Sequence, residues 1–130
     1  MKNETDPLKL LSSLETYGYD EREMTIGDVK LKLAPLTARE VVDVFELSSQ
    51  YNDADAAIQV LKIETIARSL IAVNNIKFDP TVISKQKREI IDRFSDDLVD
   101  VIFNQYCELD KGMATSVKKE EDKKFEIEDN

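Results

Sequence analysis

The sequence predicts a mainly α protein of the α+β class: a small N-terminal β-hairpin packed on a bundle of about four helices, followed by a disordered, charged C-terminal tail. Three observations point there. Only 3 Gly, 3 Pro and no Trp in 130 residues argue against a turn-rich all-β chain. Apolar residues recur at three- and four-residue steps through most of the stretch from Thr37 to Leu109. Strict apolar/polar alternation is confined to one segment around residues 24–33. A chain of this length buries about two thirds of the surface its unfolded form exposes, enough for one core. The expected organisation is an N-terminal arm with a short helix (1–20), a single domain (21–112) and the tail (113–130).

The arm, "DPLKLLSSLETY", opens a helix with Asp6 as N-cap and Pro7 at the first helical position, where its missing N–H costs nothing. Leu10, Leu11 and Leu14 share a face, and Gly18 ends the run. Such a helix either packs on the domain or docks on a partner. In "EREMTIGDVKLKLAPL", Met24 and Ile26 precede Gly27-Asp28, a pair suited to a type II′ turn, and Val29, Leu31 and Leu33 then alternate with Lys30 and Lys32. Pro35 removes a ladder donor, so the strand ends near Ala34. Thr37 and Glu40 have capping-box spacing and restart the chain as a helix carrying Val41, Val44, Phe45 and Leu47.

Residues Asp53 to about Val73 form the most apolar segment, a central helix with Ala57, Ile58, Leu61, Ile66, Ala67 and Leu70 on one stripe and Lys62, Glu64 and Arg68 marking the solvated side. Asn74-Asn75 tolerate the left-handed conformation of a tight turn, with Val73, Ile76 and Phe78 extended around it. Asp79-Pro80 repeats the cap-then-proline device before a helix containing Val82, Ile83, Ile90 and Ile91. Ser95, Asp96 and Asp97 open a last helix in which Leu98, Ile102, Tyr106 and Leu109 recur, with Gly112 as its stop. Beyond Gly112 come four lysines and six acids, with Phe125 and Ile127 as the late apolar residues. Disorder is the default reading, and the alternative is a short motif, "FEIED", that orders on a partner.

Composition excludes several functions. The formal charge is -9, with no basic run standing apart from acids, so a phosphate backbone meets net repulsion and nucleic acid is not an expected partner. No stretch approaches the roughly 18 consecutive apolar residues of a membrane span, and the N-terminus lacks a signal-like apolar run. With no His, neither a Ser/His/Asp nor a Cys/His nucleophile can be assembled, and one Cys cannot supply a zinc site. Cys107 reads as a small, half-buried apolar residue. Asp53, Asp55 and Glu64 stand at the first, third and twelfth positions of an EF-hand loop, but Ala57 and Ile58 replace its fifth ligand and its turn glycine. Asp96, Asp97 and Asp100 are acids favoured by a helix N-terminus, with a Mg²⁺ site as the sharper alternative. The three glycines are too dispersed for a phosphate loop. The expectation is a protein without catalytic, metal or cofactor residues: a helical binding module.

One resemblance goes further. The order strand, "KLAPLTAREV", helix, then "SLIAVNNIKFD", then "DDLVDVIFNQYCELDKG" resembles the small tail-assembly chaperones of tailed phages and the related baseplate-hub assembly proteins of contractile-tailed phages. The positions that carry it are Lys32, Leu33, Pro35, Leu36, Thr37, Glu40, Leu70, Ile71, Asp97, Leu98 and Tyr106, across roughly residues 22 to 110. The Asn-Asn turn departs from the Asp-Gly-like pair expected of the family and puts the local strand pairing in question. The resemblance implies an acidic protein of the host cell cytoplasm that covers the tape-measure or baseplate-hub protein during virion assembly, with self-association as an open alternative. Candidate partner-binding residues are Val41, Phe45, Ile102 and Phe103 in the domain and Phe125 and Ile127 in the tail; core is the favoured reading of the first four and disordered chain the default for the last two. A structural component retained in the tail or baseplate, and a small acidic regulator, are the other functions compatible with the sequence.

Overall fold

The computed structural model describes residues 6–17, 19–115, 117–119 and 121. In chain order its elements are α1 (Pro7–Ser12), β1 (Arg22–Ile26), β2 (Val29–Leu33), α2 (Ala38–Ser48), α3 (Ala54–Ser69), β3 (Leu70–Val73), β4 (Ile76–Lys77), α4 (Ser84–Ile91) and α5 (Asp96–Cys107). Residues 111–115 and 117–119 are also helical. The protein is therefore mainly α with a small antiparallel sheet.

Two tight turns organise that sheet. Gly27 has φ 59°, and it alone of the Gly27-Asp28 pair is left-handed, as the first central residue of a type II′ turn must be. Asn74 and Asn75 have φ 51° and 65°, both left-handed, which matches a type I′ turn. Asn-Asn thus replaces an Asp-Gly pair without loss of the hairpin. The two hairpins join through β2 and β3, so the sheet has four antiparallel strands in the order β1-β2-β3-β4 rather than a lone hairpin. Asn74 seals the junction: its N–H donates to the Lys30 carbonyl at 2.7 Å, and its side-chain oxygen accepts the Lys30 N–H at 2.7 Å.

The central helix ends sooner than its hydropathy suggests. Leu31 pairs with Val73 and Lys32 with Ala72, but Leu33 pairs with Leu70, so the register skips one residue at Ile71. This bulge turns Leu70 instead of Ile71 onto the core face, where Leu33 is fully buried. The Ala34 N–H donates to the Ser69 carbonyl at 2.9 Å. A continuous helical stripe to Val73 is corrected: pairing with β2 converts residues 70–73 to strand.

Helix α3 is packed against α2, α4 and α5. Its supposed solvated side is not free, because α4 crosses it. Glu64 is buried, and its carboxylate accepts from the Arg88 guanidinium at 2.8 Å and lies 3.8 Å from Arg68. The shared hydrogen bond with Glu64 pushes the Arg88 pKa up. Thr65 and Ser69 are buried as well, and their hydroxyls donate back to the carbonyls of Leu61 and Ile66. Asp79 does not start α4. Its carboxylate accepts from the Thr81 N–H and hydroxyl to close a turn, which holds its pKa below the usual range. The helix begins at Ser84, where Gln86 Oε1 accepts the Ile83 N–H.

The strand-to-helix corner forms as its sequence dictates. Thr37 Oγ1 accepts the Glu40 N–H at 3.2 Å and Glu40 Oε1 accepts the Thr37 N–H at 3.0 Å, a complete capping box. Between Pro35 and that box, the Leu36 N–H donates to Tyr106 Oη at 3.0 Å, and Tyr106 donates in turn to Asp110 Oδ2 at 3.0 Å. Asp110 then caps the next helix, since its Oδ1 accepts the Met113 N–H at 2.9 Å.

Order does not stop at Gly112. A stop glycine works through a left-handed φ, which Gly112 does not adopt, and the chain continues helical through it. Met113 and Val117 lie in the core cluster, so the expectation of an unpacked tail from residue 113 is corrected at its N-terminal end. Residues 122–130, with Phe125 and Ile127, lie outside the described residues, as does Gly18.

Two predictions follow from this packing. Met113→Ala should destabilise the protein by about 2–4 kcal/mol and Val117→Ala by about 1–2 kcal/mol in urea unfolding, whereas an unpacked tail would give changes within about 0.5 kcal/mol. Tyr106→Phe should remove about 2–3 kcal/mol by orphaning the Leu36 N–H and depriving Asp110 of a donor. Burial raises the Tyr106 phenol pKa, so above about pH 10 the unfolded chain loses a proton that the folded chain keeps. Stability is then fully present below pH 10 and falls as pH rises, with a shallower fall in Tyr106→Phe; equal slopes in the two proteins would refute the assignment.

Candidate functional site

An apolar recess lies where α2 turns into α3. Val44 and Ser48 point into the core, and Phe45, one residue round the helix, is left half-buried at the margin. Across from it, α3 presents Ala54, Ala57, Ile58 and Leu61, a helical stripe whose first two members are too small to reach α2. The result is a half-open groove of about 460 Å³, bordered at its mouth by Tyr51 and Asn52 and on one side by Val117. Its two serine hydroxyls are engaged with the backbone: Ser48 Oγ donates to the Phe45 carbonyl at 3.0 Å and Ser49 Oγ to the Glu46 carbonyl at 2.7 Å. What remains is an apolar surface able to take side chains but offering few polar contacts.

A second depression shares Ile58 with the groove as a lining residue. Asp55, Asp96, Asp100 and Glu121 line it, with Gln59 and Lys62 between them. Lys62 Nζ sits 3.0 Å from Asp100 Oδ1 and 5.8 Å above the Phe103 ring, while Gln59 donates to Asp96 Oδ1 at 3.1 Å. Among the described residues that line it, four are acids and Lys62 is the one cation.

Among the residues singled out from sequence, Phe45 lines the groove and Val41 is half-buried against the core without reaching it. Ile102 and Phe103 are corrected: at 1% and 2% exposure they are core, on the α5 face shared with Val99 and Tyr106, and Phe103 stacks on Tyr106 with ring centroids 6.4 Å apart. Phe125 and Ile127 lie outside the described residues. The sequence reading did not assign Tyr51, Ala54, Ala57, Ile58, Leu61 or Val117 to a binding surface. A signal was present in the small residues Ala54 and Ala57, which share the groove with Phe45, since a helix pair with alanines on one side leaves space that a core normally fills.

Helix α1 provides a second apolar surface. Asp6 Oδ1 accepts the Leu8 N–H at 3.0 Å, but no residue of the helix is buried, and Leu8, Leu10, Leu11 and Leu14 are between 56% and 75% exposed. Neither surface is a lone scattered leucine.

The remaining chemistry is sparse. Among the described residues no group of three or more His, Cys, Asp or Glu is arranged to hold a metal, and no helix is long and apolar enough to cross a membrane. Cys107 is half-buried on α5, and burial together with the Asp110 carboxylate pushes its thiol pKa up. Iodoacetamide should therefore modify native Cys107 several-fold more slowly than the same residue in urea at pH 8.5, because the thiolate is the reactive form. Equal rates would show that its surroundings do not suppress ionisation.

Comparison with protein-family models, with curated proteins and with solved structures gives no match to the chain.

Proposed function

We propose that this protein is a non-enzymatic assembly chaperone of the tailed-phage type, acting in the host cell cytoplasm. It covers an apolar helix of the tape-measure or baseplate-hub protein until that client is built into the tail. The observation that carries the reading is the half-open α2/α3 groove on a chain of net charge -9. A client helix with an exposed apolar face aggregates through that face, and an apolar groove offers it a place to bury. The acidic exterior then keeps the coated complex dispersed by charge repulsion. The exposed leucines of α1 supply further apolar contact area. The resemblance at the strand-to-helix corner supports the same reading, since Pro35, Leu36, Thr37 and Glu40 form the joint that positions α2, one wall of the groove.

The test is capture of the tagged chain from cells during phage production, with the retained proteins identified by mass spectrometry and the purified particles assayed for the chain. Wild-type chain should retain the tape-measure or hub protein and be missing from particles. Ala57→Arg fills the groove with a long side chain whose charged end reaches solvent, and it should cut recovery of the client about tenfold or more while leaving the unfolding midpoint nearly unchanged. Presence of the chain in particles at fixed stoichiometry would instead make it a structural tail or baseplate component.

A further inference from the structure

We infer that residues 122–130 turn back onto the α2/α3 groove and seat Phe125 and Ile127 in it, so that the free protein covers this surface with its own C-terminus. The inference needs the groove and not a phage client, and it stands on where the described chain ends. Val117 is buried and lines one side of the groove, and Glu121 lines the neighbouring depression, which shares Ile58 with it. The chain therefore passes out of the described residues at the border of the groove. Phe125 stands four positions after Glu121, a reach of up to about 13–14 Å at roughly 3.3–3.6 Å per extended residue.

The composition of the segment suits that path. Beyond Val117 the large apolar residues are Phe125 and Ile127, two positions apart, with Glu126 between them and Glu128 after. Successive side chains of an extended chain point to opposite sides, so Phe125 and Ile127 share one side and the two glutamates the other. The apolar side then meets Phe45, Ala57 and Leu61, while the carboxylates face water. Size agrees as well. A groove of about 460 Å³ corresponds to roughly 15 molecules the size of water at about 30 Å³ each, and the two side chains together bring fewer heavy atoms than that. A short tether also holds Phe125 near the groove at an effective concentration of about millimolar order, so a contact too weak to join separate chains is populated within one. Any helix that enters the groove must displace the segment, which makes the C-terminus a competitor that weak partners do not overcome.

The experiment uses the full-length protein, which has no Trp, so that Phe125→Trp introduces a single indole. Its emission should be blue-shifted, and its quenching by acrylamide several-fold weaker, than in the urea-unfolded chain. Both readings should hold over about a hundredfold dilution. Two substitutions then fill the groove: Ala57→Arg, and Ala54→Arg at an exposed position of the same wall, where a long side chain costs the fold little. In either background the indole should become about as accessible as in urea, with the unfolding midpoint nearly unchanged. A native indole as accessible as the unfolded one overturns the inference. An indole that stays shielded in both arginine variants also overturns it, because the segment then docks elsewhere. Shielding lost on dilution makes the occupant the C-terminus of a second copy, and the inference is wrong. These readings involve no client, so they stand or fall apart from the capture experiment that tests the chaperone reading.

Discussion

The buried hydroxyl of Tyr106 is the interaction on which the arrangement of the chain depends. Two segments far apart in sequence meet there: the corner at Leu36, and the end of α5 with Asp110 just beyond it. Leu36 and Tyr106 each bring a polar group that their own secondary structure leaves unsatisfied. The Leu36 N–H follows a proline at the end of a strand, where the ladder has stopped, and Tyr106 is fully buried, so its hydroxyl must find protein partners. One donor and one acceptor contact settle both needs. They also fix the angle at which the sheet hands over to α2 and the point from which the chain turns back along the bundle. The groove inherits its width from that geometry, because α2 supplies Phe45 and the returning helix supplies Val117.

The local devices were legible in the sequence because they are written in adjacent residues. Thr37 and Glu40 need only three-residue spacing to cap one another, and Gly27 and the Asn74-Asn75 pair need only their own freedom to turn left-handed. Long-range effects were not legible. Glu64 reads as solvated until α4 brings Arg88 across it, and Leu70 to Val73 reads as helix until β2 offers a strand to pair with. Hydropathy gives the period of a segment but not the neighbours that override it. Lys87 is the same kind of case: its ammonium donates to the Leu70 carbonyl at 2.7 Å, and burial lowers its pKa, although nothing near it in sequence indicates a buried role.

The candidate site was legible only in part, and the reason is geometric. Phe45, Ile102 and Phe103 look equivalent as aromatic or aliphatic members of apolar stripes. Two of them are nevertheless sealed between α5 and α3, while Phe45 borders the groove. What separates them is the size of the residue opposite. Where α3 offers the buried Ile66, the stripe is core; where it offers Ala54 and Ala57, the stripe is a groove wall. Periodicity alone cannot see this, since an alanine and an isoleucine both count as apolar.

An open apolar groove and the exposed leucines of α1 on one chain are a liability for any protein, because each surface could satisfy the other in a neighbouring copy. Charge works against that outcome. With 27 acids against 18 basic residues, two approaching copies repel one another, and four carboxylates stand beside the groove itself. The repulsion falls on every approaching copy, because each carries the same excess of acids. Apolar attraction by itself is indiscriminate, so the net charge is what opposes closure of the groove on a second copy.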